Sequence, residues 1–163
     1  MSEVVIETER LRLILETTEE VLARIDAMSP ADRAEVSPDW IARVRSSIAA
    51  DPWTHGFRIL ETTSGAVVGS CAYKGPPDAE GSVEIAYEVR TQYRGRGYAT
   101  EAAMALVDFA FKDSRVCLVR AHTQPETGAS PQVLTKCGFD HVGEVIDPED
   151  GWVWRWELHR SSA

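Results

Sequence analysis

The stretch from residue 83 to residue 121 most restricts what this chain can fold into. Val83, Ile85, Tyr87 and Val89 alternate with Glu84, Ala86 and Glu88, the period-two pattern of a strand with two unlike faces. A turn rich in Arg and Gly follows. Then Ala99, Ala103, Leu106, Val107, Ala110 and Phe111 recur at helical spacing over residues 97–112. Residues 116–121 form another short apolar run, read as a buried strand. Strand, helix and strand in this order make a crossover, which joins parallel strands of one sheet.

The flanking segments add antiparallel strands. Residues 9–16, 56–62 and 66–73 read as strands, with Ser64-Gly65 as a hairpin turn. Thr17 and Thr18 ahead of Glu20 suggest a capping box before the helical run Val21, Leu22, Ile25, Met28. Ser37 caps and Pro38 opens a second helix carrying Ile41, Val44 and Ile48. Residues 75–81 are a loop. Ser130-Pro131 repeats the cap-and-proline start for a short helix, residues 132–137, ended by Gly138. Strands at 139–146 and 152–158 close the chain around an acidic loop. The expectation is an α/β or α+β fold, a mixed sheet of about seven strands with flanking helices. With 163 residues, 44% of them hydrophobic, the whole of residues 1–163 is expected to form one domain.

Charge and composition exclude several classes. There are 26 acidic against 17 basic residues, a net charge of −9, and nucleic-acid binding needs a basic face. No apolar run is long enough to span a membrane, and residues 1–12 lack a secretory pattern. Cys71, Cys117 and Cys137 show no CxxC spacing and are expected to be reduced thiols of a cytoplasmic protein. His55, His122, His141 and His159 show no metal-ligand spacing, so no metal is expected.

Chemistry concentrates at Arg94-Gly95-Arg96-Gly97-Tyr98-Ala99-Thr100. Glycines admit close backbone approach or positive φ. The first-turn N–H groups of the helix have no internal acceptor, and its dipole adds positive charge. With the arginines this makes an anion site suited to a pyrophosphate. A P-loop would need Gly-Lys-Ser/Thr, and a dinucleotide fold would place its glycines in an early βαβ unit with Gly or Ala where Thr100 stands.

Arg94-x-x-Gly97-x-Ala99 resembles the Arg/Gln-x-x-Gly-x-Gly/Ala signature of the GNAT acyltransferases. Residues 83–111 and 121–139 are similar to two successive blocks of that family. Together with Thr8-Glu9-Arg10-Leu11-Arg12-Leu13 they look like its RimJ/RimL-like branch. The resemblance implies acetyl transfer from acetyl-CoA to a primary amine, a protein or peptide N-terminus or a small molecule, by direct attack in a ternary complex. It implies that the backbone from Arg94 through Gly95, Arg96, Gly97, Tyr98 and Ala99 to Thr100 cradles the pyrophosphate. It also implies that strand 83–89, ending at Val89, splays from strand 116–121 to hold the pantetheine.

Glu84 is the first candidate for the general base, a role that Glu88 on the same face could also take. Ser130 matches a family serine that contacts the pantetheine end or helps protonate the thiolate. Thr127 stands where relatives carry a cofactor-contacting Asn. His122 is a further candidate for proton relay. Trp152, Trp154 and Trp156 share a strand face and can line an acceptor pocket, a dimer contact or the core. Dimers are frequent among such enzymes, so a homodimer is one expectation. The rival reading is a non-catalytic acyl-CoA sensor acting through a partner.

Overall fold

A computed structural model describes residues 4–126, 128–148 and 150–160. Its elements run β1 (Val5–Glu7), β2 (Leu11–Leu15), α1 (Thr18–Asp26), α2 (Pro30–Ala34), α3 (Pro38–Ser46), β3 (Phe57–Glu61), β4 (Val67–Tyr73), β5 (Ser82–Val89), α4 (Tyr98–Phe111), β6 (Leu118–Thr123), α5 (Ala129–Lys136), β7 (Asp140–Asp147) and β8 (Gly151–His159). A 3-10 turn, Thr91–Tyr93, lies between β5 and α4. The strands form one mixed sheet of eight in the order β1-β2-β3-β4-β5-β6-β8-β7. The eighth strand, beyond the seven expected, is β1. Three residues are too few for alternation to register, and tertiary pairing with β2 makes them a strand.

Local chemistry starts the helices where the sequence indicates. Thr17 accepts from the Glu20 N–H while the Glu20 side chain accepts from the Thr17 N–H, the full capping box. Ser37 caps α3 ahead of Pro38. At α5 the expectation fails. The helix begins at Ala129 after Gly128, so Ser130 is not its cap but a first-turn residue. Pro131 tolerates this because first-turn N–H groups need no helical acceptor.

Helix α4 packs on one face of the sheet. Leu106, Ala102, Ala103 and Ala110 are fully buried there against Leu11, Leu13, Ile59 and Val119. Small residues on α4 let the helix lie close to the strands. The opposite face carries a smaller cluster formed by Val21, Ile25 and Val44 from α1 and α3. Trp156 is 6% exposed and belongs to the core, whereas Trp152 is 57% exposed, so the three-tryptophan face runs from interior to solvent. Cys71, Cys117 and Cys137 are unpaired thiols. No helix among the described residues is long and apolar enough to cross a membrane.

The parallel pair is the feature that makes a site. β5 and β6 pair only through Ser82–Leu118, Val83–Val119 and Glu84–Arg120. Past Glu84, β5 stays with β4 as far as Val89, while β6 follows β8 as far as Thr123. The sheet therefore opens into a V at its centre. Gly69 lets β4 close on the outer arm. A Cβ there would lie 2.1 Å from the Glu88 carbonyl oxygen.

Candidate active site

Gly97 caps α4 at φ 82° and ψ 9°, a left-handed conformation unfavourable to residues with a Cβ. Among the described residues, no protein acceptor takes the backbone N–H groups of residues 95–100. All of these residues except Arg96 border a cavity of about 530 Å³ between the α4 head and α5. Val89, Arg94, Gly95, Gly97, Tyr98, Ala99 and Thr100 line one side, and Ser130, Gln132 and Lys136 the other. Arg94 is fixed there by its Nε–H, which donates to the Val89 carbonyl at 3.1 Å. Arg96 does not line the cavity. Its guanidinium lies 3.6 Å from Glu61 and 5.3 Å from the Tyr93 ring centroid. Thr127 lies outside the described residues.

A second layer holds this turn, built from the chain's opening motif. The Glu101 carboxylate accepts from the Thr8 hydroxyl, the Arg10 backbone N–H and the Arg10 guanidinium. Arg10 Nη1 also donates to the Arg96 carbonyl at 2.8 Å, and the guanidinium stacks on Tyr98, 4.9 Å from the ring centroid. Burial alone would raise the Glu101 pKa, but these donors outweigh it and hold the pKa below its ordinary 4.5. A carboxyl group with a lowered folded-state pKa stabilises the fold above its unfolded pKa. That stability is lost as pH falls through the folded value. Glu101→Gln is therefore expected to lower the melting temperature near neutrality and to flatten its fall on acidification below about pH 4.5. Parallel melting curves for the two proteins across that window would refute the clamp.

The mouth of the V is bridged by two hydroxyls. Tyr87 Oη on β5 lies 3.4 Å from Ser130 Oγ on α5. Burial raises the Tyr87 phenol above its ordinary pKa, against a smaller lowering by Ser130. Tyr87 and Glu88 line both this 530 Å³ cavity and a second one, about 570 Å³, on the opposite sheet face beside Trp40 and Arg43 of α3. A third cavity, about 310 Å³, shares Ser130 with the first and Lys74 with the second. The residues at the V thus border spaces on both faces of the sheet.

Glu84 stands at the base of the V, facing away from α4. Its Oε2 lies 3.1 Å from the Nζ of Lys74, the residue directly after β4, and 3.0 Å from His122 Nδ1 on β6. Burial opposes the Lys74 charge, but the Glu84 carboxylate more than compensates and raises the ammonium pKa. The closest approach of each partner falls on Oε2, and among the described residues no hydrogen bond reaches Oε1. Lys74 and His122 line the 310 Å³ cavity; Glu84 does not line it but contacts both of them. Glu88 is exposed and closer to the Arg94–Thr100 turn.

Residues 8–140 match the acetyltransferase (GNAT) domain. The chain belongs to the GNAT acetyltransferase family. YjdG of Bacillus subtilis (strain 168), an uncharacterized N-acetyltransferase, is 29% identical over 154 residues, 83% of this chain and 89% of that protein. The uncharacterized N-acetyltransferase p20 of Bacillus licheniformis is 28% identical over 93 residues, 57% of this chain, and the match spans 52% of its length. The solved structure of RimL, a ribosomal alpha-N-protein acetyltransferase in complex with coenzyme A, has the same fold. It aligns with a TM-score of 0.71 at 13% identity, covering 96% of this chain and 98% of that one. The α+β fold and its RimL-like neighbours agree with the sequence reading, and the protein is an N-acetyltransferase.

Sequence reasoning missed Lys74, Tyr87 and Arg10 as parts of the site. Tyr87 falls on the apolar side of its strand, so alternation files it with the core. Lys74 carries a faint signal, a charge directly after an apolar strand. Arg10 belongs to the opening motif, but its contact lies 91 positions away at Glu101.

Proposed function

We propose that this N-acetyltransferase takes acetyl-CoA as donor and transfers its acetyl group directly to a primary amine, on a protein or peptide N-terminus or a small molecule. The carrying observation is the run of unclaimed N–H groups at the α4 head, bordering a cavity that shares Tyr87 and Glu88, at the V, with a cavity on the opposite sheet face. The N–H groups of residues 95–100, with Arg94, suit the pyrophosphate. When bound, acetyl-CoA supplies an activated thioester. This chain's residues position the acceptor, take its proton and receive the leaving thiolate's charge. Glu84 Oε1 accepts the amine proton through solvent in the adjoining cavity. Ser130 and Tyr87 present hydroxyl donors at the V mouth, where a developing negative charge is stabilised by preorganised dipoles.

Thermal unfolding with acetyl-CoA, CoA, NAD and ATP tests this reading. A ligand at 100 times its Kd adds about 2.7 kcal/mol, here a rise of roughly 5–10 °C. A rise with acetyl-CoA and CoA alone, followed by amine-dependent CoA release across an amine panel, is the expected result. No rise with either would withdraw the cofactor assignment. A rise without transfer would favour the sensing role.

A further inference from the structure

His122 joins two strands through its two ring nitrogens. It sits on β6 with its side chain 12% exposed. Arg155 Nε, on β8, lies 3.1 Å from His122 Nε2. Arginine only donates, so Nε2 must carry the lone pair, and the proton of the neutral ring sits on Nδ1. Nδ1 in turn faces Glu84 Oε2 at 3.0 Å. It is buried, lies off the hydrogen-bond axis, and has no other partner among the described residues. A buried N–H without an acceptor is costly, and a small turn of the Glu84 carboxylate satisfies it. Contacts of this kind commonly tighten only when substrates bind. The other tautomer would set two N–H groups head to head at Arg155 and turn the Nδ1 lone pair towards a carboxylate. Both contacts would then be repulsive.

We propose that His122 and Arg155 are positioning residues for Glu84. Arg155 fixes the imidazole tautomer, and the resulting Nδ1–H, together with Lys74, engages Oε2, leaving Oε1 as the oxygen that takes the proton. Three strands and the residue directly after β4 supply this set: Lys74 following β4, Glu84 from β5, His122 from β6 and Arg155 from β8. The inference rests on Glu84 being the proton acceptor.

Three replacements separate the two ring nitrogens. Asparagine places an amide N–H near the Nδ1 position, glutamine reaches the Nε2 position, and phenylalanine offers neither. His122→Asn is expected to keep kcat within about threefold of wild type. His122→Gln and His122→Phe should each lower it about tenfold, the worth of one charge-assisted hydrogen bond. Acetyl-CoA affinity should be unchanged in all three. In the Glu84→Gln/His122→Phe double variant, the second change should add nothing to the first. Nitrogen-15 NMR of the wild-type imidazole should show Nδ1 protonated, with Arg155→Met moving proton occupancy towards Nε2.

A wild-type ring protonated at Nε2 overturns the proposal without any variant. So does a His122→Phe enzyme with full turnover, or losses that multiply in the double variant. Full activity of Glu84→Gln would instead remove the proton-acceptor reading on which the proposal stands, and the two failures are told apart by that single variant.

Discussion

Glu84→Gln is expected to lower kcat about 10²- to 10⁴-fold, the usual worth of a positioned general base, with acetyl-CoA affinity unchanged. The substitution is nearly isosteric, and the amide oxygen still accepts from Lys74, which lies 3.1 Å from Oε2. What disappears is a group able to hold a proton from the amine. Glu84 does not line the cavity at the α4 head, so a loss confined to kcat is the signature of an interaction made during the reaction. Glu88→Gln is the control. Glu88 lines both large cavities, but among the described residues no side-chain hydrogen bond or ion pair fixes its carboxylate. It should lose only a few-fold, mainly in KM. The reverse pattern, with Glu88→Gln inactive and Glu84→Gln turning over normally, would move the base four residues along β5.

How much of this was legible in the sequence depends on distance along the chain. The α4 crossover spans one continuous segment, so periodicity implies the parallel pair, and the glycine pair with its arginines carries the proposed anion site. The V between β5 and β6 came only through family resemblance. No local pattern states that strands paired at Glu84–Arg120 part immediately afterwards. Helix α2 has no buried residue and hence no periodicity to detect. Ser-Pro is an ambiguous signal: at Ser37-Pro38 the serine caps, whereas at Ser130-Pro131 the helix has already begun. The Lys74–Glu84–His122–Arg155 group was invisible as a group. Its members meet only because β4, β5, β6 and β8 are neighbours in the sheet.

Gly97→Val is expected to weaken acetyl-CoA binding by about 10- to 100-fold while the protein remains folded. At φ 82° a left-handed backbone costs an L-residue about 1–2 kcal/mol, and a β-branched residue is a genuine outlier there. A new Cβ would also stand 3.2 Å from Arg10 Nη2, the side chain that ties the Arg96 carbonyl to Glu101. The chain relieves both strains by rotating the peptide units on either side of residue 97. Those units carry the N–H groups offered to the pyrophosphate. The strain is thus released in the binding surface, whereas the α4–sheet core, anchored by Leu106 and Ala110, has no reason to move. Gly95→Ala separates the two effects. Gly95 has φ 80°, with nothing within 4 Å of its Cβ position, so only backbone strain applies and a loss of about tenfold is expected. Isothermal titration with acetyl-CoA reads both variants. Wild-type affinity in Gly97→Val would mean that the amides of this turn do not hold the cofactor. An equal loss in the two variants would mean that Arg10 plays no part in setting them.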